Sequence, residues 1–382
     1  MEFVINKSDL VRELQTVTGV VEKRATLPIL ANLLLETTED GLQVGASDLE
    51  VTIRGIATAN VVREGSVTLP AAKLHEIARS LPDAEVQFKL LERNQVAISC
   101  ERTRYRIGGQ ARDEFPNFPD IDLKSGVELP GKVLNDMIER VAFAITTEDP
   151  RYSLNGALVM LESGKLTLVA TDGHRLAYAS REMDVKVPGG ELKVIVPRKA
   201  LTEVQKMTDD LREDDVVVFG KSDNQVFFVV GQHKLTSNLL EGNFPRYENV
   251  MPQSSETKIF LPTDDLSHAV RRVSLLASDR YGRAVRVCLS KGKLDLSSRT
   301  EMGDAQEELS VDYEGSEMEI GFNARYLLDF LAVVGSPTVS LELNPARAAE
   351  EGKVEAGDKP GQFRPEPSGE MDYRYIVMPM HL

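Results

Sequence analysis

At 382 residues the chain is long enough for two or three domains, each with its own core. Hydrophobic residues make up 42% and charged residues 27%, which argues against wholesale disorder, and there is no apolar run of the roughly 18 residues needed to cross a bilayer as a helix. The net charge of −15 disfavours a nucleic-acid partner unless the charges are segregated along the chain.

The opening MEFVINKSDL has neither a basic nor an apolar leader region, so no secretory signal is expected. An amphipathic helix is expected over 7–24, with Leu10, Leu14, Val17 and Val21 on one face. ANLLLETTEDGLQVGASD follows as two alternating runs around a glycine-containing turn, a strand hairpin. A second helix spans 72–81, and more strands lead to DEFPNFP. The same order then recurs. Leu134, Ile138, Val141 and Ile145 repeat the first helical face 124 residues later, within a helix over 131–148. GALVMLESGKLTLVATD is the second hairpin, 198–212 the second short helix, and GNFPRYENVMP the close. In the third pass Leu266, Val270, Val273 and Ala277 lie 132 residues further on, within a helix over 263–283. AVRVCLSKGKLDLSSRT and a helix over 324–331 follow, and the chain ends YRYIVMPMHL. Aligning Pro70, Pro197 and Asn323 superposes Leu74, Leu201 and Leu327.

Three copies in one register predict an α+β fold of three repeated domains, each with two helices packed on antiparallel sheets, over 1–122, 123–253 and 254–382. Residues 345–370, rich in Pro, Gly and charge, are expected to form a mobile loop within a hairpin. Cys100 and Cys288, the only cysteines, fall in strand-like runs and are expected to be reduced core residues of a cytoplasmic protein.

The six helical stretches together carry a formal +3, so the remainder carries −18. Basic helix faces on an acidic body can hold a polyanion on one side and repel it from the other, although ordinary solvated helix faces would give the same pattern.

Enzyme chemistry finds little support. There is no Walker or Rossmann glycine loop, no HExxH, no paired CxxC and no G-x-S-x-G elbow, and the five histidines have no metal-ligand spacing. No catalytic residue, metal or cofactor is expected. ATDGHRLA, residues 170–177, suggests a hydrolase in which Asp172 orients His174 as a general base. The repeat weakens that idea, because a shift of 124 lays ASD (46–48) over ATD, giving Asp172 a counterpart, Asp48, with no histidine beside it. Asp172 is therefore read as a turn-capping residue, and GHRL as a feature unique to the middle copy.

With the repeat, TLPILANLLL (26–35), DPRYSLNGALVMLE (149–162), VATDGHRLA (169–177), VIVPRK (194–199), EGNFPRYENVMP (241–252), EMEIGFNARYLLDFL (317–331) and the terminal YIVMPMHL carry a family likeness. The chain resembles the bacterial DNA polymerase III beta subunit, the sliding clamp, over its full length. The resemblance implies a head-to-tail homodimer closing into a six-domain ring around duplex DNA. The ring would be non-catalytic, and would tether the DNA polymerase III alpha subunit, the clamp loader, other polymerases and repair proteins through short peptides containing Gln and apolar anchors. For that peptide it implies a pocket of Leu154, Thr171, Gly173, His174, Arg175, Leu176, Pro245, Val250, Tyr326, Ile376, Met378, Pro379, Met380 and Leu382. His174 and Arg175 are expected to hydrogen-bond the peptide, and His381 stands where relatives commonly carry arginine. For DNA it implies Arg24, Lys73, Tyr152, Ser153, Lys199, Tyr281 and Asn323, with Ser153 where a second tyrosine is common and Ala72 where a basic residue is. Phe115 and Phe118 against Leu275 and Leu276 are the candidates for the dimer interface. A peptide-binding scaffold that never encircles DNA is the alternative.

Overall fold

In a computed structural model, the structure describes residues 1–22, 27–146, 152–162, 164–277, 283–344, 354–355 and 359–380. Six helices occur among them: α1 (Lys7–Thr18), α2 (Ala71–Ser80), α3 (Gly131–Ala142), α4 (Arg198–Thr208), α5 (Thr263–Val273) and α6 (Ala324–Val333). The apolar periodicity sets their buried faces: Leu10, Leu14 and Val17 in α1, Leu134, Ile138 and Val141 in α3, and Leu266, Val270 and Val273 in α5. α5 also has acids in its first turn and Arg271 and Arg272 in its last, as the helix dipole favours.

These three helices end earlier than the sequence pattern suggests. Gly19 follows α1, and the chain tightens into a 3-10 turn, Ser274–Leu276, after α5. The fourth apolar position of each pattern (Val21, Ile145, Ala277) therefore lies past the helix end, where Ile145 is still buried.

By compactness the chain falls into two units, one of Met1–Asn135 with Val196–Leu239, the other of Asp136–Ile195 with Leu240–Leu382. In the first, an eight-stranded sheet runs in the order 126–130, 216–222, 225–230, 233–238, 51–57, 41–47, 32–38 and 65–70. A five-stranded sheet beside it ends on the edge strand Thr103–Gly108. The second unit repeats the plan with 191–197, 156–162, 165–171, 175–182, 371–377, 361–366, 338–343 and 257–262, and its five-stranded sheet ends on the edge strand Gly303–Ser310. Each eight-stranded sheet thus runs through strands of two sequence repeats, which is why compactness groups the chain differently from the repeat.

The segment 345–370 is only partly the loop expected of its composition. Gly361–Glu366 is a strand with Gln362 and Phe363 buried, paired along 338–342, and Val354–Glu355 pairs in parallel with Met318–Glu319; residues 345–353 and 356–358 lie outside the described ones. Pro365 is tolerated there because pairing to the strand on the other side covers only 361–363. Cys100 is buried at a strand end and Cys288 half-buried within a strand, and burial pushes both thiols up, away from reactive thiolate.

Candidate functional site

The hairpin 165–171 and 175–182 closes at the Thr171–Leu176 pair, leaving Asp172, Gly173 and His174 as its turn. Asp172 Oδ1 accepts from the amides of His174 and Arg175, both at 3.0 Å, and Gly173 N donates to Thr171 Oγ1 at 3.1 Å. Gly173 has φ +89°, a conformation that costs a side chain strain and a glycine almost nothing. Asp48 builds the same turn in the first repeat, its Oδ1 accepting from Glu50 N at 2.8 Å and Val51 N at 2.6 Å, with Leu49 at φ +77°. Asp172 is thus a turn-former, as its repetition predicts, and forms no pair with the His174 ring.

Register builds a floor beside this turn. Leu158, Val169, Tyr178 and Arg374 lie in one cross-strand row, and Thr171, Leu176, Ile376 and Gln362 in another. Leu158, Met160, Val169, Leu176, Tyr178, Ile195 and Ile376 form one apolar cluster, against which Leu240, Phe244, Tyr247 and Met251 are only partly buried. Tyr247 lies 6.0 Å from Tyr178, ring to ring, and Arg374 stacks 5.9 Å from Tyr178. Burial, reinforced by Glu248, pushes the Tyr247 hydroxyl up, so it remains a donor. The chain's end forms the other bank. Met378 N donates to His174 O at 2.8 Å and Met380 N to Gly321 O at 2.8 Å, leaving Met378, Pro379 and Met380 half-buried.

The same backbone recurs at the first junction with a different floor. Its rows are Leu34, Gly45, Arg54, Lys234 and Ser47, Thr52, Thr236, Phe227, and Asn238 N donates to Glu50 O at 2.9 Å as Met378 N does to His174 O. Threonines stand where Leu176 and Ile376 are, Val169 is replaced by Gly45, and the Phe118 ring occupies the space above Gly45. An apolar floor therefore exists at one junction and not at the other.

Arg175 is engaged within the chain. Its side chain is only 8% exposed and donates to Asp172 Oδ2 (3.0 Å), Asp329 Oδ2 (2.6 Å) and Phe143 O (2.7 Å), with the Tyr326 ring 4.3 Å away. Those bonds occupy the guanidinium that was expected to bind a peptide, whereas the His174 side chain is exposed. Tyr326 lies under Arg175, and Tyr375, whose hydroxyl burial pushes well up, donates to Tyr326 O at 2.9 Å. Pro245 and Val250 are exposed on the segment whose Phe244 and Tyr247 cover the floor, and Leu154 is buried but outside the cluster. Leu382 and His381 lie outside the described residues. The sequence reading missed Leu158, Met160, Val169 and Tyr178, which strand alternation with Leu176 could have supplied, and Asp329, whose counterpart is Glu203 in α4.

The family match follows from the whole chain. Residues 1–119, 128–246 and 248–350 match the DNA polymerase III beta subunit N-terminal, central and C-terminal domain descriptions in turn. The chain belongs to the DNA polymerase III beta subunit family. It is 33% identical to the beta sliding clamp of Pseudomonas aeruginosa over 385 residues and 33% identical to that of Escherichia coli over 384, covering 100% of each chain. A crystal structure of the Pseudomonas aeruginosa clamp bound to griselimycin superposes with TM-score 0.90 at 32% identity, again over 100% of both chains. The fold is accordingly that of three beta-subunit domains, a non-catalytic processivity factor rather than a hydrolase.

The residues that this resemblance assigns to DNA are less uniform. Arg24, Tyr281 and the Tyr152 side chain lie outside the described residues. Lys73 is exposed on α2 and pairs with Glu76 at 2.6 Å; Ser153 sits in a 3-10 turn; Asn323 caps α6 by accepting from Arg325 N at 2.9 Å. Lys199 is bound by Asp48 and by Glu22 at 3.0 Å. Of the interface candidates, Leu275 is 78% exposed and Leu276 half-buried. Phe115 packs with Ile29, Leu30 and Leu34 in the core of its own chain, so it has no surface to offer a partner, and Phe118 is half-buried against it at 5.9 Å. No helix among the described residues is long and apolar enough to cross a membrane.

Proposed function

We propose that two copies of this chain close head to tail into a ring that encircles duplex DNA without reading sequence, and that partners, the replicative polymerase first, dock a short apolar peptide in the groove beside His174. The chemistry of the floor supports the peptide part of this reading: at the second junction it is apolar and is flanked by the partly buried Leu240, Phe244, Tyr247 and Met251, while the equivalent backbone at the first is lined with threonines and covered by Phe118. Flexible Met378 and Met380 suit several apolar anchors, and the exposure of His174 supports its hydrogen-bonding the peptide. Tethering by such a groove raises the polymerase's effective concentration on its template and needs no chemistry.

The ring is supported by two unpaired edges of opposite charge. Strand Thr103–Gly108 exposes Arg104 and Arg106, and strand Gly303–Ser310 exposes Asp304 and Glu308, with Leu275 and Met302 exposed beside the acidic edge. Three repeats per chain in the boundaries 1–122, 123–253 and 254–382 then give six domains. Lys73, Ser153 and Asn323, with Arg24, Tyr152 and Tyr281, are the proposed DNA contacts, and a ring acting inside the cell would be cytoplasmic.

The test is topological. The loaded chain should remain on nicked circular DNA and be lost once that DNA is linearised; equal retention on both would leave only a peptide-binding scaffold.

A further inference from the structure

We propose that Arg175 is a positioning residue of the groove, holding the turn lip to α6 through Asp329 without itself contacting a bound peptide. The proposal rests on the peptide-groove reading above. Arg175 Nε, Nη1 and Nη2 each donate to an acceptor of the chain itself, on the turn (Asp172), on α6 (Asp329) and just after α3 (Phe143). Phe143 and Tyr326 flank the guanidinium at 5.3 and 4.3 Å, so little of its surface is left to a ligand. The residues on either side of Arg175 do line the groove: Leu176 is in its floor, and His174 carries the carbonyl that receives the Met378 amide. A shift of Arg175 therefore moves the lip, the floor and the opposite bank together.

The first junction serves as a built-in comparison. Val51 stands at the position of Arg175 and Glu203 at that of Asp329. Glu203 is buried, accepts from Lys206 Nζ at Oε1 (2.7 Å), and has its other carboxylate oxygen, Oε2, without a hydrogen-bond partner. The arginine–aspartate tie is present where the floor is apolar; where the floor is threonine, the turn is tied to α4 by a different pair, Asp48 with Lys199.

The experiment measures binding of a fluorescein-labelled peptide, one Gln followed by Leu and Phe anchors, to the full chain by fluorescence polarisation. The variants are Asp329→Asn, Arg175→Met, the two combined, Arg175→Lys, and His174→Ala as a contact control. Asp329→Asn is expected to weaken the peptide about tenfold, Arg175→Met similarly, and the pair together no more than either alone, the non-additivity of residues acting as one unit. Arg175→Lys cannot reproduce the three-way fork and should stay weak. The His174 imidazole resonance should move in Asp329→Asn, a change that loss of stability alone would not produce in the folded protein. His174→Ala should add its loss to that of Asp329→Asn if the ring binds peptide directly. Normal peptide affinity in Asp329→Asn with loss in Arg175→Met makes Arg175 a direct contact and overturns the proposal while the groove stands. If Arg175→Met does not fold, Asp329→Asn decides alone: wild-type affinity and an unmoved His174 signal overturn it. No binding by the wild-type chain overturns the groove itself.

Discussion

Lys199→Gln separates two roles that one residue could hold. The resemblance assigns Lys199 to DNA, yet its ammonium lies between Asp48 and Glu22, with the side chain 30% exposed. Burial pulls its pKa down, and the hydrogen bonds it donates to Asp48 and Glu22 outweigh that, so the value is raised. A raised lysine pKa stabilises the folded state fully below the unfolded value of about 10.4 and loses that contribution as pH rises through the folded value. Removing the charge leaves Asp48 with its two backbone donors and Glu22 solvated, so the loss should be about 1–2 kcal/mol, roughly 3–6 °C in Tm for a unit of this size. Thermal unfolding at pH 7 should show that drop, and the gap to the wild type should close above about pH 10.4. DNA binding is read as log K against log salt. A phosphate contact would lower the slope by about 0.9, whereas an ammonium already held by two carboxylates should leave it unchanged. A slope that falls by that amount with Tm unchanged would refute the reasoning and return Lys199 to the DNA surface.

Asp172→Ala orphans two backbone amides and strips Arg175 of one carboxylate, and should cost about 3–4 kcal/mol in urea unfolding; a loss below about 1 kcal/mol would contradict the turn's role. Gly173→Ala forces a side chain into φ +89°, and should lower stability by about 1–2 kcal/mol and weaken the labelled peptide at the same time. Leu275→Asp changes a residue 78% exposed in the single chain, so unfolding of the monomer should move by no more than about 0.5 kcal/mol. Light scattering should nevertheless show the dimer proposed for the wild type giving way to monomer at the same micromolar concentration; an unaltered dimer would remove Leu275 from the interface.

How much was legible depended on whether a feature is local or needs a pairing partner. The Asp48 and Asp172 turns were readable because each is made by its own two following amides, and the 124-residue shift lays one on the other. Helical faces were readable for the same reason, but their ends were not. Val21 and Ala277 continue the apolar period into segments that Gly19 and the 3-10 turn have already taken out of the helix. The floor of the groove is a product of register: Leu176 meets Ile376 only because strand 175–182 pairs with strand 371–377, about 200 residues away in sequence. The strand 361–366 was hidden by Pro365 and its neighbours, since composition cannot reveal that one side of a strand is unpaired. Phe115 looked like an interface residue because an aromatic beside prolines reads the same in a core as at a surface. Arg175 looked like a ligand-binding residue because Asp329, 154 positions on, cannot be paired with it from spacing.

The two junctions show how a repeat can carry different side-chain chemistry on one backbone, and so the proposed peptide site at one junction only. Backbone pairing, the Asp turn and the amide that closes onto it are shared, so the first junction already has the geometry of a groove. What differs is side-chain chemistry at a few registered positions: Thr52 and Thr236 in place of Leu176 and Ile376, Leu49 in place of Gly173, and Val51 in place of Arg175. The buried threonines put hydroxyls where an apolar anchor would need methyls, and Thr52 already shares a 2.8 Å hydrogen bond with Ser47. Phe118, held above Gly45 with Arg54 5.9 Å away, occupies the remaining space. Exchanging the threonines alone for Leu and Ile would therefore not open a second peptide site, because the first junction is closed both by its floor and by its cover.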